Sequence, residues 1–252
     1  MARGSAGESV LDRAVRVLDA FGPSASTLSV AEIARAADLP IATAHRLVAE
    51  LERHGLLERD TDRRVRVGVR LWELATRSSP TLTLREAAMP VMEGLHTVVG
   101  HHVQLGVRQD QEVLFLERLS ARKAVINVAQ IAGRLPLHVS SAGQVLLAHA
   151  PVEFQDAVLA GSLVPYTDQT VTDPRRLRRV LAEVRKQGFA FCPGHIRAEA
   201  TGVAVPIRSP AGDVVAALSV VVPNDDSARS VVPLLLASGR TVSRSLSASR
   251  VP

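Results

Sequence analysis

Cys192-Pro-Gly-His195 sets a thiol and an imidazole three residues apart. At that spacing a thiolate and a ring nitrogen can share a zinc ion or serve as nucleophile and base. His138 or His101 could supply a third ligand. A two-ligand fragment is weak, because zinc sites take three or four protein ligands. A hydrolase-like enzyme using Cys192 and His195 is the catalytic alternative. Against it, the sequence has no Gly-x-Ser-x-Gly elbow, no phosphate loop and no acidic pair in an identifiable setting. No catalytic residue, metal or cofactor is therefore expected. The favoured role for Cys192 is a strand-end thiol lining a pocket for an organic molecule, with His195 beside it.

A second constellation is Ser140-Ser-Ala-Gly143, which opens a helix directly after a strand. Free N–H groups at a helix start favour anions, so Ser141 and Ala142 would make a good seat for a carboxylate. Capping by Ser140 or Ser141 explains the same serines without a ligand. On the residues alone capping is the favoured reading, because capping serines are so common.

The third is a run of arginines: Arg59, Arg63, Arg64, Arg66 and Arg70. Such a cluster can contact phosphates while releasing counterions. The overall charge of +5 is no guide, because residues 1–80 hold 12 Arg against 11 Asp plus Glu. The case for nucleic acid rests on local clustering. Aromatics are only 3% of the chain, which argues against a base-stacking platform for single strands.

The elements around those arginines give them a purpose. Ser29-Val-Ala-Glu32 has the spacing of a capping box, and Ile33, Ala34 and Ala37 give the helix it opens an apolar face. Asp38-Leu-Pro40 interrupts that helix, with Pro40 expected at the first position of the next. The second helix, Ile41 to His54, keeps Ala44, Leu47, Val48 and Leu51 on one side and turns Thr43, His45, Arg46, Glu50 and Arg53 outward. Gly55 ends it. Strands Leu56–Arg59 and Arg64–Val69 follow, joined by a polar turn. This is the order of a winged helix-turn-helix, whose second helix enters the DNA major groove.

Ahead of it, Val10 to Phe21 reads as a helix with Leu11, Ala14, Val17, Leu18 and Phe21 on one stripe. Leu71–Ala75 reads as a short helix leaving the wing, and Ser78-Ser-Pro80 as a domain boundary. Two domains are expected, 1–79 and 80–252. In the second, Thr83-x-x-Glu86 predicts a helix start, with Leu84, Ala88, Val91, Leu95 and Val98 at helical spacing and Pro90 interrupting or kinking the helix. Alternating runs at Val103–Val107 and Val113–Glu117 predict a hairpin, and Ala124–Ala129 a third strand. Helices are expected at Ser141–Ala150, Val152–Ala160 and from Asp173-Pro174 to Gly188, and strands at Phe189–Cys192, Val203–Arg208 and Val214–Val222. A closing helix spans Val231–Leu246. Strands and helices do not alternate regularly, so the fold class is α+β with an antiparallel sheet flanked by helices. A single cysteine excludes an intramolecular disulfide. With no signal peptide or long apolar run, a soluble cytoplasmic protein is expected.

Leu28–Pro40 followed by Thr43-Ala-His-Arg-Leu47, then Gly133-Arg-Leu-Pro-Leu-His138 with Ser140-Ser-Ala-Gly143, then Ala204-Val-Pro-Ile207 and Val214–Val220 together resemble the IclR family of bacterial transcriptional regulators, over nearly the whole length. The resemblance implies a winged helix, a linker helix and a GAF-like effector domain that binds a small molecule. It implies a homodimer or dimer of dimers on palindromic double-stranded DNA, repressing or activating a metabolic or catabolic operon, with a repressor as the favoured reading. The DNA-binding candidates are Ser29, Ile41, Ala42, Thr43, His45, Arg46, Arg63, Arg64 and Arg66. Arg46 is first among them, as a bidentate guanine or phosphate contact, against pairing with Glu50 one turn on. The resemblance favours a ligand over mere capping at Ser141 and Ala142, and adds Asn127, Cys192, Gly202, Ser219 and Val221 to the effector set. Two departures stand out. Ile41 and Ala42 replace a common Lys-Ser, and Ile41 could instead touch a thymine methyl. Gly202 stands where the family often has Cys, and Val221 replaces a serine. The pocket is therefore expected to be roomier and more apolar than one built for a very small polar acid, and to suit an apolar or aromatic carboxylic acid. The remaining alternative is a DNA-binding protein with a ligand-free dimerisation domain.

Overall fold

Helix α1 (Val10–Asp19) begins at a capping box that Ser9 and Asp12 form with each other's backbone amides. The computed structural model of the chain describes residues 8–22, 26–78, 80–121, 124 and 131–248. These divide into two compact units, Met1–Ser79 and Pro80–Pro252.

In the first unit α1 is followed by β1 (Thr27–Leu28), α2 (Val30–Ala36), α3 (Ile41–Arg53), β2 (Leu57–Arg59), β3 (Val65–Val67) and α4 (Val69–Ser78). The strands form a small antiparallel sheet in the order β1-β3-β2. Ser29 caps α2 as its spacing predicts: its hydroxyl accepts from the Glu32 amide, and the Glu32 carboxylate accepts from the Ser29 amide at 2.7 Å. Pro40 stands one residue earlier than expected, at the N-cap of α3, where its extended ψ turns the chain into the helix. The core joins Val17, Ile33, Ala44, Leu47, Val48, Leu57 and Val65. Truncating one of its larger members to Ala would cost about 2–5 kcal/mol. The stripe expected on α1 is narrower than its spacing suggests, since Leu11 is 72% exposed.

The root of the wing is two glycines in contact. Gly55 has a φ of +70° after α3. A Cβ on Gly68 would meet the Gly55 carbonyl oxygen at 2.2 Å. The Gly68 amide donates to the Leu56 carbonyl at 2.9 Å, so the chain closes on itself where the wing begins and ends.

The second unit is built on a six-stranded antiparallel sheet in the order β6-β5-β4-β9-β8-β7. Its strands are β4 (His102–Gln109), β5 (Glu112–Leu119), β6 (Arg134–Pro136), β7 (Ala190–Pro193), β8 (Ala200–Arg208) and β9 (Val214–Pro223). One face is bulky. Val103, Leu105, Val203, Val205, Ile207, Leu218 and Val220 pack there with α5 (Pro80–Val99) and α9 (Val232–Ala248). The other face carries the small Ala190, Ala204 and Ala217 on β7, β8 and β9 and the larger Val113, Phe115 and Leu135 on β5 and β6, and packs with α6 (Ser141–Ala148), α7 (Val152–Ala160) and α8 (Pro174–Gln187). Helices on both faces explain why these strands read as nearly continuous apolar runs. Helix α8 is bounded as predicted, by the Asp173 cap, Pro174 in the first turn and Gly188 at φ +81°.

Several expectations need correction. Thr83 does not cap a helix: α5 already begins at Pro80 and continues through Pro90 to Val99. Proline is well tolerated in a first turn, and the earlier start leaves the Thr83–Glu86 spacing inside the helix. Its buried stripe is Leu84, Ala88, Met92 and Leu95, while Val98 is 71% exposed. The wing strands are shorter than read, with Val69 already helical. A 3₁₀ turn at Asp226–Val231, capped by Asp225, precedes α9. The strand expected at Ala124–Ala129 falls, except for Ala124, outside the described residues, and Ala124 lies in no regular element.

Candidate functional site

On α3 the inward positions are Ala44, Leu47, Val48 and Leu51. The exposed positions are Ile41, Ala42, His45, Arg46, Ala49 and Glu50, with Thr43 half-buried between the two faces. Arg46 is therefore presented outward beside His45. Glu50, the alternative partner for Arg46, is hydrogen-bonded by Arg53 and lies 3.8 Å from His54.

The arginines of the wing divide sharply. Arg64 donates to Glu32 at 2.8 Å and to the Thr27 carbonyl at 3.1 Å, tying β3 to the start of α2. Arg66 pairs with Glu58 at 2.8 Å across the hairpin. Arg59 pairs with Glu52 at 2.8 Å and donates to the Arg63 carbonyl at 2.9 Å. Ser29 is engaged in its own capping box. The cluster that reads as an open phosphate-binding surface is thus partly committed to internal carboxylates. Arg63 differs: it is exposed at the tip, at φ +60°, in a turn that Asp60 closes by accepting from the Asp62 and Arg64 amides. These glutamates lie 7 to 32 residues from their arginines, so composition alone conceals the pairing.

In the second unit, Ser141, Ala142, Cys192, His195, Gly202, Ser219 and Val221 line one cavity. Asn127 lies outside the described residues. The cavity sits between the sheet and the start of α6. The Ser140 hydroxyl caps that helix by accepting from the Gly143 amide at 3.0 Å. The amides of Ser141 and Ala142 have no partner inside a helix, and the Ser140 cap does not use them. Gln104, Phe115, Leu135, Ile196 and Arg197 complete much of the lining and were not foreseen. Gln104 carried a signal in hindsight, as a lone polar residue between the apolar Val103 and Leu105.

The cavity measures about 40 Å³, room for roughly three waters. Gly202 adds little to it. The space its missing side chain vacates is taken by Ser141, whose hydroxyl oxygen lies 2.9 Å from where a Cβ would stand. The apolar expectation agrees with the lining, which is mostly hydrocarbon from Phe115, Leu135, Val139 and Val221.

Gln144, from α6, organises the polar side. Its carbonyl oxygen accepts from the Cys192 thiol at 3.3 Å, and its amide donates to the His138 carbonyl at 3.1 Å and lies 3.4 Å from His195 Nδ1. Burial, helped by the Arg176 charge, pushes the His195 pKa down to about 4. Burial pushes the Cys192 thiol well above its ordinary range. A protonated, buried thiol is a poor nucleophile and a poor metal ligand, so Cys192 and His195 together line the cavity without forming an activated pair. Among the described residues no three His, Cys, Asp or Glu side chains gather where they could hold a metal ion. The segment bearing His195 is fixed from outside: Thr170 donates to the His195 carbonyl at 2.7 Å and Thr167 to the Gly194 carbonyl at 2.6 Å.

Among the described residues no helix is long and apolar enough to cross a membrane. Comparison with known proteins matches residues 10–61 to the IclR helix-turn-helix domain and residues 77–248 to the bacterial transcriptional regulator IclR C-terminal domain. The chain is 31% identical over 221 residues to the transcriptional regulator BhcR of Paracoccus denitrificans, covering 87% of this chain and 79% of that one. It is 28% identical over 211 residues to XynR of Escherichia coli, covering 83% and 84%. Among solved structures, an IclR homolog from Microbacterium hydrocarbonoxydans, complexed with 4-hydroxybenzoate, superposes with a TM-score of 0.91 at 48% identity, over 95% of this chain and all of that one. A winged helix with an outward arginine, a sheet with a cavity at a helix start, and two family models in the same order lead to one conclusion: the chain belongs to the IclR family of bacterial transcriptional regulators, and is a DNA-binding transcriptional regulator.

Proposed function

We propose that this regulator is a cytoplasmic repressor that binds a palindromic operator as a homodimer and responds to a carboxylic acid with an apolar, preferably aromatic, body. The observation that carries this reading is the cavity at the start of α6. A carboxylate fits the amides of Ser141 and Ala142, with Arg197 on the cavity lining and the Arg176 charge felt at His195 adding positive potential. The hydrocarbon lining suits the remainder of such a ligand. The relative solved with 4-hydroxybenzoate supports the same class, and the repressor IclR of Escherichia coli, 26% identical over 185 residues, supports the sign of regulation.

Arg46 and His45 on α3 and Arg63 at the wing tip are the favoured DNA contacts, with Ile41, Ala42 and Thr43 at the head of the reading helix. Arg64, Arg66 and Ser29 act mainly by holding the wing and α2 in place. Dimerisation is supported by large apolar side chains left exposed on α1 (Val10, Leu11, Val15) and α4 (Val69, Trp72, Leu74), since patches of this kind mark association surfaces. A ligand that binds better to one dimer arrangement shifts the spacing of the two reading helices and so the affinity for DNA. Among the described residues lining the cavity, Cys192 and His195 form no activated pair, which supports binding of the ligand without chemistry.

The test is to incubate the purified protein with fragments of its source genome at two salt concentrations, sequence what is retained, and repeat with 4-hydroxybenzoate present. Recovery of a few palindromic sites, lost on adding the acid, is the expected result. Uniform retention that vanishes at moderate salt would reduce the wing to a basic surface. Site-specific retention that no carboxylic acid alters would favour a ligand-free dimerisation domain.

A further inference from the structure

We propose that Gln104 and Ser219 form a second polar subsite, which takes an oxygen carried on the ligand's ring opposite its carboxylate, and that Gln104 makes the protein select para-hydroxylated over unsubstituted aromatic acids. The inference rests on the carboxylic-acid reading of the cavity and specifies it.

Gln104 on β4 and Ser219 on β9 are paired in the sheet register. Both line the cavity. They are 3% and 1% exposed. Yet Gln104 Nε2 and Ser219 Oγ, both buried, have no hydrogen-bond partner among the described residues. A buried polar atom left unmatched is unfavourable, and native structures rarely keep one without a use. Two such atoms, on cross-strand partners that line one cavity, are a stronger signal than either alone. Gln144 on α6 shows the contrast, being bonded through both its oxygen and its nitrogen.

The position of the pair matches the far end of a ring. Val221 pairs with Gly202, which lies against Ser141 at the start of α6. Ser219 is two residues from Val221 on the same strand, an advance of ~7 Å. That is about the reach of a benzene ring with a substituent at each end, and the lining between is apolar. The chemistry is complementary too. Gln104 Nε2 can only donate, whereas Ser219 Oγ can accept. A phenolic hydroxyl does both: it accepts from Gln104 and donates to Ser219. Sites built to hydrogen-bond a hydroxyl discriminate strongly against the analogue that lacks it.

The experiment is calorimetric titration of the full-length protein with benzoate and with 4-hydroxybenzoate, in the wild type and in Gln104→Leu, with thermal melts of both. The wild type is expected to prefer 4-hydroxybenzoate by about tenfold or more. Gln104→Leu is expected to narrow the preference to about threefold or less and to melt no lower than wild type because an unmatched amide is removed. Equal binding of the two acids by the wild type, or an unchanged preference in Gln104→Leu, overturns the subsite while leaving the carboxylic-acid reading intact. Binding of neither acid by the wild type overturns both. Should Gln104→Leu fail to melt cooperatively, Ser219→Ala gives the same readout through a smaller change.

Discussion

Gly202 and Ser141 occupy one space: a Cβ on the glycine would stand 2.9 Å from the serine hydroxyl oxygen and 3.4 Å from its Cβ. The strand therefore sets where the helix start can lie. Because the nearest atom is a rotatable hydroxyl, Gly202→Ala should cost only about 1 kcal/mol or less of stability while turning that hydroxyl into the cavity. Affinity for the effector should fall several-fold, and operator affinity without effector should stay at the wild-type level. Calorimetry with the acid and gel shift without it measure the two separately. An unchanged effector affinity would place the ligand elsewhere.

Arg46 and Arg64 should behave as different kinds of residue. Arg46→Ala should weaken operator binding by about 1–3 kcal/mol with little change in melting temperature. Arg64→Ala removes a half-exposed ion pair with Glu32, worth about 1 kcal/mol or less. Its effect should show in the stability of the DNA-binding unit more than in affinity at low temperature. Arg63→Ala should lower the salt dependence of binding by about one phosphate contact. Fluorescence anisotropy across a salt series, with melts, separates the three. A loss of affinity in Arg64→Ala as large as that in Arg46→Ala would return Arg64 to the DNA surface.

Gly68→Ala sets a new carbon against a backbone oxygen, and neither side of that contact can rotate away. The wing root must open or the helix end must move. A destabilisation of about 3 kcal/mol or more is expected, well above the 1–2 kcal/mol typical of an alanine forced into the left-handed region, as at Gly55. Chemical denaturation of the two variants side by side gives the ranking. Gly68→Ala proving the milder would mean the contact relaxes more easily than its geometry suggests.

Stability should fall on mild acidification, and His195 should carry part of the fall. Its pKa is about 4 in the folded protein against an ordinary 6.5. Between those values the unfolded chain binds a proton that the folded chain refuses. Stability is thus fully present above about pH 6.5 and declines as the pH drops toward 4. Burial lowers His138 in the same direction. Melting temperatures from pH 7 to pH 5 should decline, and His195→Asn should flatten the decline. Parallel curves for variant and wild type would show that His195 is not the group responsible.

Cys192 should react slowly with iodoacetamide in the native protein at pH 8 and rapidly once unfolded, because burial keeps it protonated. Cys192→Ser should keep full operator affinity. Rapid native labelling would contradict the buried, neutral thiol.

What the sequence disclosed was mostly local. Ser29 with Glu32, and Asp173 with Pro174 and Gly188, announce their helices because caps are made by neighbours a few residues away. Thr83 with Glu86 has the same spacing, yet Pro80 had already started the helix. The seven effector candidates among the described residues do meet at one cavity, although they come from four separate elements and the segment between two strands. Long-range pairing was hidden. Nothing near Arg64 in the chain points to Glu32, and nothing near Gly202 points to Ser141. The half-neutralised wing, the feature that departs most from expectation, follows from contacts between residues far apart in sequence.

The two faces of the second unit's sheet have separate duties. Branched side chains packed with α5 and α9 supply cohesion, while Gly202, Ser219 and Val221 on the opposite side bound the cavity. Exchanges among small residues there alter the shape of the void without loosening the bulky layer behind it. A lineage with this construction can drift from one effector to another by few steps, each of them survivable. For the same reason the chain is a practical starting point for a biosensor: a library confined to those three positions should yield altered ligand preferences at a high frequency of folded members.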